Sequence, residues 1–227
     1  MTVEDLRKTV RVSVGPIHQI TFRVKDGNDY HDGVLLNISY GGLGFRSFKV
    51  LEVGMTIDAV LGINDNLFEV SLIVEHVRPT MIGTSFATYS PALIIELGKY
   101  FNAEIHGLSL IEVNENLLRH TDEGKSHFFR AQNCEIFYVE NSNRLIRFEI
   151  TFYGNYIEGE PGFPARFGYL DEAPVATGMH HKGSTLIQTS DASDSETIQE
   201  IHRFVINSDK IPEILRVQIA EIIEAAI

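Results

Sequence analysis

Between Ile20 and Ala87 apolar and polar residues alternate almost without a break, punctuated by turn-forming residues. Ile20, Phe22 and Val24 alternate with Thr21, Arg23 and Lys25, and Asp26-Gly27-Asn28-Asp29 follows as a turn. Val34, Leu36 and Ile38 alternate with Leu35, Asn37 and Ser39, and are expected to face the interior. Met55, Ile57, Ala59 and Leu61 form a third such set, and Phe68, Val70, Leu72 and Val74 a fourth, joined through Ile63-Asn64-Asp65-Asn66. Arg78-Pro79 ends that strand, and Ile82 to Ala87 reads as one more. A period of two belongs to half-buried strands, and short strands joined by tight turns predict a small antiparallel barrel or sandwich. Ser90 as N-cap and Pro91 at the first helical position predict a closing helix. Its stripe of Leu93, Leu97, Tyr100 and Phe101 packs on the barrel. The first domain is placed at residues 1 to about 104.

The second domain, residues 105–227, has a different texture. Leu108 to His120 is expected to be helical. Phe128 to Val139 and Arg144 to Gly154 read as strands joined at Asn141-Ser142-Asn143, and Phe163 to Leu170 as a third. Residues 183–197, dense in Ser, Thr and Asp, read as a loop. Ser193 and Glu196 have capping-box spacing before a helix with the stripe Ile198, Ile201, His202 and Val205. Pro212 opens a last helix through Leu215, Ile219, Ile222 and Ile223. Strands followed by helices predict a compact α+β domain.

Charge limits the partners. Nineteen Lys and Arg against 31 Asp and Glu give a net charge of −12, which disfavours a nucleic-acid polymer. The single cysteine, Cys134, excludes an internal disulfide framework and a thiol-rich metal site, and fits a cytoplasmic protein. No apolar run approaches the ~20 residues of a membrane span, so membrane insertion is not expected, and MTVEDLRKTV carries no secretory signal. One segment opposes the global charge: Arg7, Lys8, Arg11, Arg23 and Lys25 occur from 7 to 25 with no acid between them.

Arg7-Lys8-Thr9-Val10-Arg11 presents two guanidinium forks on an extended arm, each able to grip a phosphate or a guanine edge, or to stack on a base. Asn37-Ile38-Ser39-Tyr40-Gly41-Gly42 places Asn37 and Ser39 on one strand face as an outward rail of amide and hydroxyl. Gly41 and Gly42 lack a Cβ and admit a sharp turn or a closely approaching ligand. These groups suit a purine edge and a phosphate and supply no nucleophile or general base.

In this order, with this spacing, Arg7 and Arg11 followed by Asn37, Ser39 and Gly42 match R-x-x-x-R and [D/N]-x-S-x-x-G. The chain thereby resembles the PilZ family, bacterial receptors for cyclic di-GMP, over about residues 4 to 104. Ile82-Gly83-Thr84-Ser85-Phe86 resembles the family's last strand. The resemblance implies a six-stranded antiparallel β-barrel with a C-terminal helix. It also implies that Arg7 and Arg11 clamp the phosphates and one guanine face while Asn37, Ser39 and Gly42 hold the other guanine. The candidate ligand-binding residues are Arg7, Lys8, Arg11, Asn37, Ser39, Gly41 and Gly42, with cyclic di-GMP as ligand and neither cofactor, metal nor catalytic residue. Leu6, in place of a cation before the first arginine, favours one ligand per site. With the motif so near the N-terminus, read-out is expected to pass to the C-terminal domain or to a protein partner.

Other features have plainer readings. His180-His181 lacks a third ligand and reads as surface loop, His202 as a boundary residue and Cys134 as an inert buried thiol. Phe152, Tyr153, Tyr156, Phe163, Phe167 and Tyr169 read as core packing, with a partner-binding patch as the alternative. Two further functional readings stand beside the receptor. One is an interaction module that needs no nucleotide. The other is an enzyme whose site would gather His180, Glu158 or Asp171 in one cleft.

Overall fold

A computed structural model describes residues 10–15, 18–47, 50–113, 123–171, 186–190 and 194–226, with 171 and 186–190 described through their backbone alone. The chain divides into two compact units, Met1–Ile105 and His106–Ile227. It is mainly β, with a curled antiparallel sheet in the first unit, a second antiparallel sheet in the other, and four helices among the described residues. No helix among them is long and apolar enough to cross a membrane.

The first unit contains β1 (Val12–Ser13), β2 (Ile20–Asp26), β3 (Asp29–Asp32), β4 (Val34–Ser39), β5 (Gly42–Arg46), β6 (Thr56–Ile63), β7 (Asn66–Arg78) and β8 (Met81–Thr88). They pair in the order β1-β4-β5-β8-β7-β6-β2-β3. The sheet therefore counts eight strands where six are expected, because the two-residue β1 and the short hairpin strand β3 flank six longer ones. Alternation sends Phe22, Val24, Phe45, Leu61, Leu72 and Val74 inward, each at most 3% exposed. Curling brings together strands far apart in the order: the Phe22 ring on β2 meets Phe45 on β5 at 4.8 Å between centroids. The Gly33 amide also donates to the Phe22 carbonyl at 2.9 Å. Helix α1 (Pro91–Tyr100) starts as its sequence dictates, the Ser90 hydroxyl accepting from the Ala92 amide. Leu93, Leu97 and the following Phe101 are buried, each contributing on the order of 2 kcal/mol through burial.

Helix α2 (Asn102–Leu108) follows at once, carrying the boundary between the units. Of the helix expected at 108–120, only Leu108 is helical among the described residues. Ile111–Glu112 are instead strand β9, paired with Arg130 and Phe129, and 114–120 lie outside the described residues.

The second unit is a meander of β9, β10 (Lys125–Ala131), β11 (Cys134–Asn141), β12 (Arg144–Phe152), β13 (Asn155–Gly159), β14 (Arg166–Asp171) and β15 (Leu186–Ser190), each beside its sequence neighbour. The single strand expected from Phe128 to Val139 is a hairpin instead. Gln132-Asn133 interrupts the apolar run, and Asn133 adopts φ 57°, a left-handed conformation that asparagine tolerates. Part of the 183–197 loop is also strand: Leu186–Ser190 pairs along β14. Composition masks this, since two apolar residues and a threonine sit within a polar stretch. Helices α3 (Ser195–Ile206) and α4 (Glu213–Glu224) follow. Asp194, not Ser193, caps α3, its carboxylate accepting from the Glu196 amide at 3.2 Å. Ile198, Ile201, Phe204 and Val205 are buried on α3, and Leu215, Ile219 and Ile223 on α4. The Phe204 ring meets Phe152 of the sheet at 5.3 Å.

Candidate functional site

The first unit's sheet begins where the arginine motif ends. β1 pairs with β4 through Val12↔Ile38 and Ser13↔Asn37, and Arg11, just before β1, reaches Asn37 diagonally across the pair. Its Nη1 donates to Asn37 Oδ1 at 3.4 Å, at an exposed position. Arg7 and Lys8, with Leu6, lie outside the described residues.

Strand β4 is not regular. Its register against β5 shifts between Leu35 and Asn37, so Leu36 is an extra residue. Leu35 and Ile38 are the inward side chains, and Val34 is 56% exposed. This corrects the expected inward set of Val34, Leu36 and Ile38, since the bulge inverts the alternation at its start. Asn37 and Ser39 keep a common face, but their surroundings differ. Asn37 is half-buried and reaches Met81 Sδ through Nδ2 at 3.5 Å. Ser39 is buried, its hydroxyl donating to the Gly42 carbonyl at 3.2 Å and accepting from the Gly41 amide at 3.4 Å. The outward rail is therefore Asn37 alone, and Ser39 closes its own turn.

The two glycines play separate parts. Gly41 is exposed, and its carbonyl accepts from the Phe86 amide at 3.0 Å. At Gly42 an added Cβ would stand 2.0 Å from the Thr84 carbonyl oxygen. Neither has a positive φ, so Gly42 serves close approach by β8 rather than a left-handed turn. Tyr40, between Ser39 and Gly41, is half-buried, and burial raises the pKa of its phenol.

Sequence reading misses the neighbours that the sheet brings in. Gly44 pairs with Asn37, whose amide atoms lie 2.8–3.1 Å from the place of a Gly44 Cβ. Met81 comes from β8, and Arg46 of β5 donates from Nε to the Thr80 carbonyl at 2.9 Å. A glycine two residues after the motif, in Leu43-Gly44-Phe45, was the available signal.

The second unit holds a cleft of about 380 Å³ between β12, β13 and the approach to β14, lined by Arg147, Glu149, Glu158, Glu160, Phe163 and Arg166 among others. Arg147, Glu149, Glu158 and Arg166 are engaged in ion pairs. Glu158 binds Arg166 at 2.9 Å and accepts from the Tyr156 hydroxyl at 2.9 Å, while Arg147 binds Glu149 and Glu123. His180-His181 and the Asp171 side chain lie outside what is described. His202 is half-buried. Cys134 is fully buried, which pushes its thiol up to about 12 and suits an inert role. The aromatic run divides, with Phe152 and Tyr156 in the core and Tyr153, Phe163 and Tyr169 at least 45% exposed.

No protein-family model matches this chain, and no curated protein matches it.

Proposed function

We propose that the first unit is a PilZ-like, non-enzymatic receptor for cyclic di-GMP, which passes the binding event to the C-terminal domain or to a partner protein in the cytoplasm. One observation carries the reading. The Arg11 guanidinium and the Asn37 amide, 26 residues apart in sequence, meet at 3.4 Å on the outer face of a curled antiparallel sheet. A guanidinium fork beside an amide offers donors for a phosphate and both donor and acceptor for a purine edge. On this reading the ligand orders the N-terminal arm across the barrel, and shifts it only by its differential affinity for the two states.

Titration calorimetry of the full chain with cyclic di-GMP tests this. The expected result is binding in the micromolar range or tighter, lost in Arg11→Ala. Absence of heat at millimolar ligand overturns it.

A second reading has its own support. Ser39 and Gly42 are fully engaged by the fold itself, closing a turn and admitting β8. On that reading the motif is retained for structure, in an interaction module that needs no nucleotide. It is favoured if Arg7→Ala and Asn37→Ala leave cellular function intact.

A further inference from the structure

We propose that His76 is a base-contacting residue of this site, completing with Asn37 a purine platform that runs across the strands rather than along β4. The inference rests on the receptor reading and adds a residue outside both motifs.

The register defines one row over four adjacent strands. Asn37 of β4 is opposite Gly44 of β5, Gly44 is opposite Gly83 of β8, and Gly83 is opposite His76 of β7. The row's centre is two glycines, and each is covered by the planar polar group beside it. The Asn37 amide occupies the space of a Gly44 Cβ. The His76 ring likewise occupies that of a Gly83 Cβ, with Cε1, Nε2 and Nδ1 at 2.0, 2.3 and 2.7 Å from its place. Any larger residue at either glycine displaces the amide or the ring. The two planar groups thus lie side by side, separated by about one strand spacing, ~5 Å, which is within the width of a purine.

Two further observations point to a ligand. β7 changes register between Val74 and His76, and such an irregularity re-aims a side chain. In addition, His76 Nε2 is buried with no hydrogen-bond partner among the described residues, a state a protein rarely leaves unanswered. The ring, seated flat over Gly83 beside an amide, supplies a stacking face for a base. Basic groups dominate the surroundings, with the Glu75 carboxylate at the bulge, which accepts from Ser85, as a nearby acid. Arg46, two residues from Gly44, and Arg78, two residues from His76, share the row's face by strand alternation, and Arg11 stands at its Asn37 end. That is three guanidinium groups on a chain of net charge −12. The ligand class is a purine base carried by a phosphodiester, as in a cyclic purine dinucleotide.

The test uses the full chain labelled with ¹³C at histidine ring carbons, titrated with cyclic di-GMP, beside calorimetry of the wild type, His76→Ala, Gly83→Ala and Arg11→Ala. The expected result is a nucleotide-dependent shift of the His76 ring resonance in the wild type. His76→Ala is expected to weaken binding about tenfold, the scale of one lost base stack. Gly83→Ala, which pushes the ring from its seat, is expected to do the same, and the double variant no worse than either. If the wild type binds and Arg11→Ala does not, but the ring resonance is unmoved and His76→Ala binds normally, this inference falls and the receptor reading stands. If the wild type does not bind at all, both fall. The ring resonance is read on unsubstituted protein, so the outcome does not depend on whether Gly83→Ala folds.

Discussion

His18 and Glu104 meet inside the first unit, imidazole Nε2 to carboxylate Oε1 at 3.4 Å, with 8% and 1% of their side chains exposed. His18 Nδ1 accepts the Gly15 amide at 3.0 Å, which puts the ring proton on Nε2, facing the carboxylate. The same ring packs on Phe101 at 5.3 Å, and the Gln19 amide donates to the Tyr100 hydroxyl at 2.8 Å. The segment after β1 is thus fastened to the end of α1 and the start of α2. His18→Ala leaves the buried carboxylate without this partner and is expected to cost about 3 kcal/mol, measured as a lower denaturant midpoint at unchanged slope. Replacing both residues with leucine is expected to recover part of that loss.

Gly42 separates a structural from a ligand-binding role for the second motif. A methyl group there meets backbone, the Thr84 carbonyl oxygen and the Ser85 Cα, neither of which can swing aside. Gly42→Ala is expected to destabilise the first unit by about 2 kcal/mol, as overpacking does. The loss appears in thermal or chemical unfolding without nucleotide present. A variant as stable as the wild type contradicts the close approach described.

Cys134 sets an alkaline limit. Its thiol titrates near 12 in the folded chain, raised first by burial, against about 8.5 when unfolded. The folded state therefore holds its proton while the unfolded state loses one. The contribution is complete below about pH 8.5 and disappears as pH rises toward 12, with a slope near 1.4 kcal/mol per pH unit. Burial raises the Tyr138 and Tyr156 phenols as well, which adds to the same limb at higher pH. Denaturant unfolding from pH 8 to 11 is expected to show this decline. Iodoacetamide is expected to modify Cys134 only at the rate of global unfolding.

His106 sets the acid counterpart in the second unit. Burial lowers its pKa, and its Nε2 lies 2.6 Å from the Tyr153 hydroxyl. The neutral ring accepts that hydroxyl's proton in a hydrogen bond, and the protonated ring cannot. The contribution is present above the unfolded value of about 6.5 and is lost as pH falls through the lower folded value. Tyr153→Phe is expected to reduce stability at pH 7.5 by about 1 kcal/mol, with a smaller difference from the wild type at pH 5. An equal difference at both values contradicts the assigned tautomer.

The parts that could be read in advance are those set by neighbours in the chain. Ser90 and Pro91 announce α1 through a cap and a missing amide, and the alternation around Phe22, Leu61 and Leu72 follows the pleat. The parts that resisted depend on a partner strand. Leu36 becomes an extra residue only because β5 spans the same length with one residue fewer. Ser39 is buried because its own turn offers an amide and a carbonyl. At Gln132-Asn133 a left-handed asparagine without a following glycine hides a hairpin inside an apolar run. Gly83 and His76 are unremarkable apart, and acquire a relation only when β7 and β8 are laid side by side.

The outermost strand of the first sheet, Asp29-Tyr30-His31-Asp32, is exposed along its whole length, and His31 pairs with Asp26 at 3.7 Å. A second copy sliding up to that margin would have to bring carboxylates against carboxylates before any amide found a carbonyl. Growth of this sheet past β3 is thus opposed by charge.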